Sequence, residues 1–147
     1  MTMRSIMVGL LFGAVVPALV AAQTTTTTTT TTLPGGCVAG ASFDSLTCRT
    51  EALAAQLQGA TDLGRTKPTL IKQAAKLDGD LRDAEAQMGN ARKASERLKK
   101  ANRVLIAIGF RLRSLTGRKQ IAAATRTDLQ TTVAALTTDL KALSKTL

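Results

Sequence analysis

The sequence predicts an all-α fold: an antiparallel four-helix bundle with a disulfide-stapled N-terminal segment. Three observations predict it. Four apolar stripes with three- and four-residue spacing follow one another between Asp44 and Leu147; glycine, proline or asparagine stands near their ends; and two cysteines lie at the start. Such spacing keeps side chains on one face of a helix. Four faces of this kind have only each other to bury against.

The chain opens MTMRSIMVGLLFGAVVPALVAAQ, with Arg4 ahead of an apolar run from Ile6 to Val20 and the small residues Val20-Ala21-Ala22 behind it. This is the three-part pattern of a secretory signal peptide, cut after Ala22. The alternative is an uncleaved membrane anchor, against which the run is short: a bilayer needs ~20 residues. Gly9, Gly13 and Pro17 also interrupt it. Leu33-Pro34-Gly35-Gly36-Cys37 resembles a lipobox, but the threonine run Thr24–Thr32 separates it from the apolar segment it should adjoin. The expected organisation is signal peptide 1–22, threonine-rich linker 23–36 and helical domain 37–147.

A run of nine threonines has no apolar surface to bury, so an extended, solvated linker is expected. Its composition suits either a simple spacer or an O-glycosylated stalk. Beyond it lie the two cysteines, Cys37 and Cys48. In an exported chain two cysteines most simply form one disulfide. A metal pair is the poorer reading, because the chain lacks the further ligands a metal site needs.

In the first helix Leu46, Thr50, Leu53, Leu57 and Ala60 share a face, with Ser42 or Asp44 as cap and Gly64 as terminator. Pro68, with its fixed φ and missing N–H, suits the start of the second. Its stripe is Leu70, Ala74, Leu77, Leu81, Ala84 and Met88, with Gly79 inside it as a weak point. Gly89-Asn90 reads as a tight hairpin, Gly89 in the left-handed conformation and Asn90 capping the next helix. A single helix from Pro68 to Leu115 is the alternative, since the stripe nearly keeps phase across the pair.

The third helix carries Ala94, Leu98, Ala101, Leu105, Ile108, Leu112 and Leu115, and Gly117 suits its end. The fourth carries Leu129, Val133, Leu136, Leu140, Leu143 and Leu147, with Thr127 and Gln130 as a capping box at or near its start. The segments FDSLTCR, ATDLGR and FRLRSLTGRKQI, behind a poly-threonine linker, together resemble a recurring helical module of bacterial secreted proteins. The resemblance spans about Cys37 to Leu147. It implies export and a reusable domain, and no activity.

Charge is unevenly distributed. Residues 92–119 hold 10 basic residues and 1 acidic residue, whereas residues 23–91 hold 6 and 7. The excess therefore sits on the third helix and its exit. Projected down that helix, Arg92, Lys99 and Arg103 fall opposite the leucine seam, with Lys93, Lys100 and Arg111 beside them. Such a ridge suits a polyanion: anionic lipid, acidic envelope polysaccharide or a nucleic-acid backbone. Sequence-specific nucleic-acid binding is not expected, because nothing points to base reading and there is no aromatic platform. The competing reading is an ordinary solvated face. On that view Glu96 pairs with Lys100, the cations near the third helix's end complement its dipole, and Asp78, Asp80, Asp83 and Glu85 face part of the ridge.

Catalytic chemistry has little to work with. The chain contains no His, Tyr or Trp. Its Ser and Thr hydroxyls therefore lack a histidine base. DGDLRDAE, Asp78–Glu85, fails as a calcium loop: Arg82 occupies a ligand position and no glycine follows at the turn. The same carboxylates have no cleft partner as an acid/base pair. The expectation is a non-enzymatic exported module, without cofactor or metal, that associates with the cell envelope or another extracellular component. Polyanion binding through the basic helix and self-association as a structural bundle are the alternatives. Membrane attachment through the leader is expected only if it stays uncleaved.

Overall fold

In a computed structural model, residues 36–147 are described. The expected signal peptide, and the expected threonine-rich linker up to residue 35, lie outside them. The described chain is mostly helical, with no strand: α1 (Phe43–Gly59), a 3₁₀ turn (Gly64–Thr66), α2 (Lys67–Ala86), α3 (Ala91–Arg113), α4 (Leu115–Gln120) and α5 (Ala123–Leu143). The four long helices are those the stripes predict. α2 packs on α1 and α3, and α5 packs on α3 and α1, while the pairs α1–α3 and α2–α5 make no close backbone approach.

The core lies between these helices. Leu46, Leu53, Leu57, Leu70, Leu77, Leu81, Leu98, Leu105, Ile108, Leu112 and Leu129 are each almost wholly buried, as the stripes require. Cys37 and Cys48 are joined, which ties the segment before α1 onto its first turns. Ser42 caps α1, its hydroxyl accepting from the Ser45 N–H at 3.2 Å. The Ser45 hydroxyl in turn donates to the Val38 carbonyl at 2.6 Å, a second tie on the stapled segment. Gly89-Asn90 is a hairpin: α2 stops at Ala86, and Asn90 caps α3 by accepting from the Lys93 N–H at 3.1 Å.

Several boundaries differ from expectation. α1 stops at Gly59, five residues before Gly64, because Ala60 turns extended and Leu63 must reach the core. The carbonyls of Gln58 and Ala60 are instead satisfied by the Lys67 ammonium, at 2.7 and 2.8 Å. That is the cation a helix C-terminus favours. Gly64, at φ +51°, opens the 3₁₀ turn. Gly89 does not take the left-handed conformation; only Gly36 and Gly64 do among the described glycines. Met88 falls in the turn after α2 and is exposed, so it drops out of the stripe.

Gly117 does not end the third helix. Ser114 does, in extended conformation, and its hydroxyl donates to the Arg111 carbonyl at 2.7 Å and accepts from the Gly117 N–H at 3.1 Å. The short α4 starts there, with Gly117 inside it, pressed so closely on the Arg111 carbonyl that a Cβ would collide. The side chain of Leu115 lies outside the description. α5 begins at Ala123, a turn before the expected capping box. Thr127 consequently sits inside the helix and its hydroxyl bonds back to the Ala123 carbonyl at 2.9 Å. Leu147 lies beyond the helix and is 39% exposed, so it is not part of the seam.

Candidate functional site

α3 presents two faces of opposite chemistry. Ala94, Leu98, Ala101, Leu105, Ile108 and Leu112 turn inward and are buried. Arg92, Lys93, Lys99, Lys100 and Arg103 are exposed. The helix is long, 23 residues, so its period carries both faces over six turns. Arg111 differs from the other five: it is half-buried and its Nε is enclosed without a hydrogen-bond partner.

Ion pairing decides which cations remain available. Arg97 reaches Asp83 at 3.1 Å and Asp80 at 4.0 Å, a link from α3 to α2. Asp78 takes no part in it; it holds Arg82 at 2.9 Å, and Arg82 reaches back to Glu51 on α1 at 2.7 Å. Glu96 pairs with Arg92 at 3.5 Å, not with Lys100 as the i,i+4 spacing also permits. Lys93, Lys99, Lys100, Arg103 and Arg111 form no salt bridge among the described residues. The acidic face of α2 thus engages Arg97, Glu96 engages Arg92, and Lys93, Lys99, Lys100 and Arg103 are left without a carboxylate partner among the described residues.

Two open grooves of about 500 and 600 Å³ run between α2 and α3 and share Gln73, Arg103 and Ala107 in their walls. Lys76, Arg97 and Lys100 border one of them together with Asp80. Ile106, Phe110 and Arg111 border the other. Phe110 is 72% exposed and Ile106 53%. Neither was singled out by charge or seam, although the same 100° projection that aligns Arg92, Lys99 and Arg103 also places both on the outer side of α3. The missed signal was an apolar residue out of phase with the core.

The arrangement can attract and hold anions. It offers donors but little else: both cysteines are bonded to each other, and no group of three or more His, Cys, Asp or Glu side chains converges among the described residues. No described helix is long and apolar enough to cross a membrane. No protein-family model matches the chain, and no curated protein or solved structure is detectably similar to it.

Proposed function

We propose that this chain is an exported, non-enzymatic module, an antiparallel four-helix bundle, that binds polyanionic material of the cell envelope through the outer face of α3. The observation that carries this reading is the set Lys93, Lys99, Lys100 and Arg103, exposed on one helix and without a carboxylate partner among the described residues. Charges spent on internal pairing do not attract a ligand; these cations remain available to one. The apolar leader, the Cys37–Cys48 disulfide and the resemblance to a secreted helical module support export, since disulfides persist in oxidising compartments. The absence of histidine and of any free thiol in the chain supports a binding role over catalysis.

Retention on immobilised heparin tests the reading. The wild-type protein is retained and elutes with salt, and K99E/K100E/R103E elutes at much lower salt. Equal retention of the two proteins would remove the basis for α3 as the binding face.

A further inference from the structure

The outer line of α3 does not stay cationic along its length. Arg92, Lys99, Arg103, Ile106 and Phe110 follow one another at spacings of seven, four, three and four, which places all five within about 60° of one another around the helix. The line is basic in its first half and apolar in its second. The other large exposed hydrophobics among the described residues, Val38, Met88 and Leu147, lie before α1, in the α2–α3 turn and at the C-terminus. Ile106 and Phe110 are exposed from the body of a long helix, side by side one turn apart. Along the chain on either side of them the charge has one sign: residues 97–127 include nine Lys or Arg and no Asp or Glu.

We propose that this face docks onto an anionic lipid bilayer, with Phe110 and Ile106 entering the boundary between headgroups and acyl chains while Lys99, Lys100 and Arg103 bind headgroup phosphates. This deepens the polyanion reading above and rests on it. A soluble polysaccharide would use the cations and leave Phe110 in water; a bilayer surface uses both. A second copy of the chain is a poor occupant, because apposing two such faces sets like charges against each other. A single phenyl ring beside an isoleucine is also no stacking platform for successive bases. Cations drawn to the surface potential and an aromatic side chain at the same level are the combination a peripheral membrane site requires.

The chain contains no tryptophan, so Phe110→Trp supplies a unique reporter on this face. The full chain, with its disulfide formed, is mixed with vesicles of phosphatidylcholine alone or with phosphatidylglycerol added. With the anionic vesicles the emission of F110W shifts to the blue and is quenched by lipids brominated in the acyl chain. Because the reporter is local, it separates docking by this face from binding by the apolar N-terminal run. The double variant I106A/F110A, with helicity checked by circular dichroism, loses about tenfold in affinity for anionic vesicles by sedimentation and keeps its heparin retention. Heparin retention without a shift of F110W on anionic vesicles overturns the bilayer proposal and leaves polyanion binding standing; loss of both overturns both. Equal vesicle affinity of I106A/F110A and wild type overturns the apolar anchor. A shift of F110W on an acidic helical peptide, with none on vesicles, overturns the proposal in favour of a protein partner.

Discussion

Arg49 on α1 and Asp139 on α5 form an ion pair between residues 90 positions apart in the chain. The Arg49 side chain is 4% exposed and that of Asp139 is 26% exposed, so the cation is buried and its partner only half so. The pair joins the first long helix to the last. Its Arg49 end also has an enclosed Nε without a partner, which makes the site sensitive to any further loss.

Removing Asp139 alone strands a buried guanidinium. D139A is expected to lose about 2–3 kcal/mol, at or just below the ~3–5 kcal/mol of fully buried pairs because the carboxylate is partly wet. The double variant R49M/D139L removes both charges and is expected to recover most of that loss. Urea denaturation of the three proteins checks it; equal stability of D139A and wild type would show that the pair contributes nothing.

Two glycine-to-alanine substitutions are expected to act in opposite directions. Gly79 is exposed within α2 and a Cβ there meets open space, so G79A should gain about 1 kcal/mol from helix propensity. At Gly117 the added Cβ strikes the Arg111 carbonyl, and the backbone of α4 must move away from α3. G117A should lose about 1–3 kcal/mol. Thermal melts of both variants read the two signs directly.

The disulfide constrains a short loop, since Cys37 and Cys48 are 11 positions apart. In the chain-entropy model its removal costs about 3 kcal/mol. C37S/C48S is expected to stay helical, because the apolar faces of α1, α2, α3 and α5 do not depend on it, but to unfold at lower urea. Adding a reductant to the wild type should reproduce the variant's midpoint and should not shift the variant itself.

Salt sensitivity separates the outer cations from the paired one. If Lys99, Lys100 and Arg103 contact a polyanionic backbone, replacing any one by Gln should reduce the slope of log affinity against log salt by about one. Arg97, engaged by Asp80 and Asp83, should behave differently: R97Q is expected to leave that slope nearly unchanged and to lower stability. Heparin affinity measured across a salt series compares the four variants.

The local content of the chain was sufficient for the helices. The period of Leu98, Leu105 and Leu112 identifies an inward face from one helix alone, and Asn90 caps α3 through an N–H three residues away. Pairing of the cysteines needed only their number and the expectation of export. The concentration of cations on α3 was likewise readable, because charge is counted without knowing any partner. Those features belong to one element and follow from residues within a turn or two of each other.

What the sequence did not determine depends on groups brought together from distant positions. Leu63 and Ile121 are core residues in connections, outside any stripe, and only the surrounding helices create the space they fill. The end of α3 at Arg113, one residue before Ser114, and the place of Gly117 follow from how tightly α4 folds back on the Arg111 carbonyl. Asp80 and Asp83 capture Arg97 and not its neighbours because α2 and α3 meet at that register. A helical period fixes the direction of a side chain from its own axis. Which residue of another helix meets it is decided by packing, and with it whether a cation such as Arg97 is paired across two helices or, like Arg103, stands without a carboxylate partner among the described residues.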